Sequence, residues 1–150
     1  MRVCKEAISL ITVGCDQIGK RFLSDRQPPS FTIAEEMYTN EHRDVSGGKV
    51  WPQSLVRLAK PGIARLVLED GKAVLYHSAD NSRVFHENPL SPLEYEVDDA
   101  PALEQLLTTI EPHWICVTDL IHGDIEDKVD IAQSLYDEGI LALRPHQDQR

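Results

Sequence analysis

The residues whose spacing most readily suggests chemistry are His42-Arg43-Asp44. An H-x-D pair joined by a distant histidine is the set that holds ferrous iron in non-haem oxygenases. His113 and His122 lie far enough downstream to supply the third ligand. Such triads are carried by a double-sheet jelly roll of about eight strands, and residues 27–62 contain no strand-rich stretch. The pattern therefore reads as a solvated loop, and no metal ligand is assigned to it. His77, His86, His113 and His122 stand singly, none spaced to share a helix face with another ligand. His122-Gly123-Asp124 reads as a loop entering a helix. Cys4, Cys15 and Cys116 are odd in number and lack CxxC spacing, which gives neither a disulfide framework nor a zinc site. A reducing compartment is expected. Cys116, between Ile115 and Val117, reads as an inert core thiol. Asn81-Ser82-Arg83 could meet a polar ligand, but reads first as a turn with Arg83 paired to acidic surface. No nucleophile elbow, P-loop or dinucleotide fingerprint is present. The residues alone assign no catalytic, cofactor-binding or metal role.

The elements that would position these side chains fall into two groups. Over residues 3–23, Val3, Ala7, Leu10, Ile11, Cys15, Ile18 and Phe22 recur at helical spacing. Pro28-Pro29 end that pattern. The helix has one apolar stripe and no neighbour in sequence to cover it. Residues 27–61 read as a linker, polar over 27–50, with one helical turn near Ile33–Met37. A domain then runs over 62–145, followed by a short tail, 146–150. Ile63 to Glu69 and Ala73 to His77 flank the hairpin signal Asp70-Gly71. Arg83 to His86 is a further strand candidate, and Leu93 to Val97 alternates apolar and acidic residues. A helix opens at Asp98-Asp99 with Pro101 in its first turn and buries Leu103, Leu106, Leu107 and Ile110. After a brief strand, His113 to Val117, and a turn, Thr118 to Ile121, the last helix is capped by Asp124. It buries Ile125, Val129, Ala132 and Leu135 or Tyr136, and stops at Gly139. Ile140 to Leu143 closes the domain as a strand. The fold class is α+β, winged-helix-like, preceded by a separate amphipathic helix.

Charge narrows the partners. The 150 residues carry formal net charge −10, with 41% apolar and 27% charged residues, enough for a moderate core. No apolar run reaches the ~18 residues of a spanning helix, and the N-terminus does not read as a secretory signal. Residues 94–138 hold thirteen carboxylates and one cation, Lys128. A phosphate backbone gains no counterion release there and meets repulsion, so direct nucleic-acid binding is not expected. A basic polypeptide would be attracted; otherwise the charges form a solvated face.

Residues 62–143 also resemble a known domain. Ile63-Ala64-Arg65-Leu66-Val67-Leu68-Glu69, Val74-Leu75-Tyr76-His77-Ser78 and Asn81-Ser82-Arg83-Val84-Phe85-His86 are similar to the C-terminal winged helix of the JmjC ribosomal oxygenases, the nucleolar bifunctional lysine-specific demethylase and histidyl-hydroxylase group. So are Ala102-Leu103-Glu104-Gln105-Leu106-Leu107 and the stretch from Glu126-Asp127-Lys128 to Leu135-Tyr136-Asp137-Glu138-Gly139-Ile140-Leu141. Asp16-Gln17-Ile18-Gly19-Lys20-Arg21-Phe22-Leu23 and Arg26-Gln27-Pro28-Pro29 resemble the last helix of that family's dimerisation region. The resemblance implies an oxygenase using Fe(II) and 2-oxoglutarate, a homodimer, a nuclear and nucleolar location, and a ribosomal-protein or histone substrate. The family's iron ligands belong to a jelly roll that would precede Met1, and His42 and Asp44 fall in the linker, so those roles do not transfer. The chain reads as a non-catalytic C-terminal part: a fragment, an incomplete gene model or a short paralogue. The competing reading is a stand-alone acidic protein-interaction module without enzymatic activity.

Overall fold

A computed structural model of the chain describes residues 17–23, 27–39, 48–79 and 92–144. Two three-stranded antiparallel sheets enclose the core. Residues 17–23 are helical (α1), and a single turn, α2 (Ile33–Glu36), follows. Thr32 caps that turn. Its hydroxyl accepts from Glu35 N while the Glu35 carboxylate accepts from Thr32 N.

The second sheet forms as the sequence predicts. β2 (Ala64–Glu69) and β3 (Lys72–His77) meet at Asp70 and Gly71, whose φ values of 52° and 74° suit a two-residue hairpin turn. β4 (Leu93–Glu96) pairs with β3, turning Leu93 and Tyr95 inward and Glu94 and Glu96 outward. The 3-10 turn Val97–Asp99 leads into α3 (Ala100–Thr108), with Pro101 in its first turn. Ala102, Leu103 and Leu106 of α3 are buried against β1 and β2.

The two outer strands of the first sheet form where the sequence predicts strands, but its central strand was not foreseen. β1 (Leu55–Leu58) lies inside the stretch expected to be linker, yet it is the central strand, flanked by β5 (Ile115–Cys116) and β6 (Leu141–Arg144). Val50, Val56 and Leu58 belong to the core. The domain therefore begins well before residue 62. Its long-range pairings leave no local turn signal, which is why a periodicity reading passes over β1.

The 3-10 turn Val117–Asp119 precedes α4 (Ile125–Asp137). Asp124 caps α4 by accepting from Glu126 N at 2.9 Å, and Gly139, with φ 78°, ends it. The buried face is Ile131, Ala132, Leu135 and Tyr136. Ile125, expected in the core, is 41% exposed because it stands at the helix start, ahead of the packed turns. Ile110 is also exposed, since α3 ends before it.

α1 lies on the outer face of the second sheet. Lys20 pairs with Glu69 and sits 4.8 Å from the Tyr76 ring centroid, and Leu23 is buried. Ile18 and Phe22 of the expected apolar stripe are 71% and 63% exposed. The remainder of the helix expected over 3–23, and the strand expected at Arg83 to His86, lie outside the described residues.

Candidate interaction surfaces

His42, Asp44, Asn81 to Arg83, His86, Cys4 and Cys15 lie outside the described residues. Among the described residues no three His, Cys, Asp or Glu side chains group as a metal site would. His122 is flanked by the carboxylates of Asp99 and Asp127, and both of its ring nitrogens are engaged. Nδ1 accepts the Asp124 N–H at 3.2 Å, leaving Nε2 to donate to Asp99 Oδ1 at 3.1 Å. It thereby ties the start of α3 to the start of α4. Such a donor set does not fit ferrous iron. Cys116 is half-buried rather than fully in the core. Its Sγ lies 3.5 Å from Pro52 O and 3.1 Å from Thr118 Oγ1, which joins β5 to the loop before β1.

What the fold does assemble is a carboxylate-rich surface. Glu94, Asp98, Glu104, Asp119, Glu126 and Asp130 are exposed, and none lies within ion-pair distance of a cation among the described residues. Lys128, the one cation in this stretch, forms no ion pair with them among the described residues, and its ammonium donates to Thr118 O at 2.7 Å. Glu96 pairs with Lys72 across β3 and β4. Glu126 and Asp127 fill the first turn of α4, where carboxylates complement the helix dipole.

On the outer face of the second sheet, charge is used to hold α1. Lys20 donates to Glu69, and the Tyr76 hydroxyl donates to the same carboxylate. The hydrogen bond from Lys20 holds Glu69 below the usual carboxylate range, and the Glu69 contact raises Lys20. Burial, with the hydrogen bond to Glu69, pushes the Tyr76 phenol up.

A third cluster escaped the sequence reading. Arg57 of β1 is buried, with its guanidinium carbon 4.4 Å from the Trp114 ring centroid and 6.0 Å from that of Tyr38. The two rings meet edge to face at 5.5 Å. The one available signal was a lone arginine inside the apolar run Leu55 to Leu58.

Comparison with known proteins decides the family. Residues 24–145 match the family described as ribosomal oxygenase 1, C-terminal winged helix domain. The chain belongs to that family. Among its relatives, the bifunctional lysine-specific demethylase and histidyl-hydroxylase NO66 of Dictyostelium discoideum is 33% identical over 87% of this chain and 25% of that protein. The protein of the same name from Branchiostoma floridae is 33% identical, over 87% of this chain and 23% of its own length. Ribosomal oxygenase 1 of Homo sapiens is 35% identical over 86% of this chain and 21% of its own. The chain thus spans about a quarter of the length of the curated relatives it matches. It corresponds to the C-terminal winged helix of ribosomal oxygenases, an α+β module. A winged helix that reads DNA brings basic side chains to the major groove. In this ribosomal oxygenase domain α3 and α4 bring Glu104, Glu126, Asp127, Asp130 and Asp137 instead. No helix among the described residues is long and apolar enough to cross a membrane.

Proposed function

We propose that the chain is a non-catalytic scaffold within a JmjC-type oxygenase that uses Fe(II) and 2-oxoglutarate on ribosomal-protein or histone substrates in the nucleus, chiefly the nucleolus. The winged-helix match over residues 24–145 carries this reading. The acidic surface supports a docking role towards a basic polypeptide and argues against nucleic acid. The exposed Ile18 and Phe22 on α1 support self-association through the N-terminal helix. A stand-alone acidic interaction module is the second reading, favoured by the same carboxylates, and the reading frame upstream of Met1 separates the two. Docking is tested by fluorescence anisotropy of the full chain with a labelled basic peptide and a labelled DNA duplex, at low and moderate salt. The peptide binds and weakens as salt rises; the duplex does not bind. Sub-micromolar duplex binding, or peptide binding indifferent to salt, overturns the charge argument.

A further inference from the structure

We propose that Arg57 is the receptor for a carboxylate, seated at the corner formed by the Trp114 and Tyr38 rings. A guanidinium carries five N–H donors and cannot shed its charge. The Arg57 side chain is only 8% exposed, so little water serves those donors. Its sole ion pair among the described residues is with Glu111 Oε2, 3.7 Å from Nη2 and too long for a hydrogen bond. Nε is buried and has no hydrogen-bond partner. The two rings stabilise the cation through their faces but accept none of its in-plane hydrogens. The edge without a hydrogen-bond partner is the side-on pair, Nε with Nη2, whose geometry matches a carboxylate in a bidentate fork once Glu111 moves aside.

Two further observations point the same way. Glu111 is 63% exposed, so the group nearest Nη2 stands at the surface and can move aside. In the β1–β6 register Arg57 faces Ala142 and Leu55 faces Arg144, which places Arg144 on the same side of the sheet as Arg57. Two cations on one sheet face are a local exception in a chain of net charge −10. The ligand is a carboxylate, either of an acidic peptide side chain or of a free carboxylic acid. This inference is independent of the oxygenase reading.

The test follows the Arg57 Nε–Hε and Trp114 indole N–H resonances of the full chain, titrated with sodium acetate against sodium chloride at equal ionic strength. Acetate produces a saturable shift and chloride does not. Removing the competing carboxylate with Glu111→Gln tightens acetate about threefold to tenfold. Arg57→Lys keeps the charge but loses the fork, and weakens binding about tenfold, read at Trp114. A capped peptide with one glutamate among apolar residues identifies the source. Binding tighter than acetate assigns the site to a polypeptide, and equal affinity assigns it to free carboxylates. Failure of acetate and peptide to shift Arg57 in both the unmodified chain and Glu111→Gln overturns the proposal.

Discussion

At the scale of single residues, Lys20, Glu69 and Tyr76 decide where α1 sits. Glu69 has its acid strength increased by Lys20, so its contribution is complete above the ordinary glutamate range. That contribution is lost as pH falls through the lowered native value. Lys20 is raised, so its share holds below the ordinary lysine value and is lost only as pH climbs through the raised one. α1 is therefore expected to stay docked across neutral pH and to release in acid. The Lys20 amide and Tyr76 ring resonances, followed from neutral to acid pH, report the release, and Glu69→Gln should remove that acid transition. An unchanged acid transition in Glu69→Gln would show that another group holds the helix. Gly19 belongs to the same contact, because a Cβ there would lie 2.8 Å from the Arg65 side chain. None of this was legible in the sequence, since Lys20 meets Glu69 only after the sheet has formed.

At the scale of elements, what could be read depended on whether the signal was local. The hairpin at Asp70-Gly71, the proline-started α3 and the Asp124-to-Gly139 limits of α4 are each written within a few neighbouring residues, and each forms as read. β1 depends on partners at 115–116 and 141–144, and the Arg57 cluster depends on Tyr38 and Trp114. β1 leaves no mark nearby, and the cluster leaves only the lone arginine within an apolar run. In α4 the buried face forms as read at Ala132, Leu135 and Tyr136, but Ile125 stands ahead of the packed turns and faces solvent, while Ile131, not singled out in the sequence, is buried. Ile131→Ala should cost about 2–5 kcal/mol and Ile125→Ala less than about 1 kcal/mol, as measured by denaturant unfolding. Equal costs would refute the assignment of the buried face. Asp124→Ala removes the cap and should cost about 1 kcal/mol in the same measurement.

At the scale of the whole molecule, two surfaces of opposite character are exposed. One is the carboxylate-rich side of α3 and α4, and the other the Ile18–Phe22 edge of α1. Burying an isoleucine or phenylalanine contributes roughly 1.5–3 kcal/mol each, which favours pairing of that edge. Light scattering on the full chain should show a mass that rises with concentration, and Ile18→Asp should abolish the rise. A constant monomer mass at high concentration for the unmodified chain would sink the assignment. The docking experiment bears on the other surface, and the two are separable because Ile18→Asp leaves the carboxylates of α3 and α4 in place.

The placement of β1 also sets a timetable for synthesis. Both strands that flank it lie downstream, and β6 reaches only as far as Arg144. Translation proceeds at about 5–20 residues per second, so several seconds separate the emergence of Leu58 from that of Leu141. The β2–β3 hairpin can close during that interval, because its partners are adjacent in the chain. β1 cannot. Until the last strand leaves the ribosome, Val56 and Leu58 sit on a strand with its β6 edge open, in the state most exposed to capture by a chaperone or by another nascent copy.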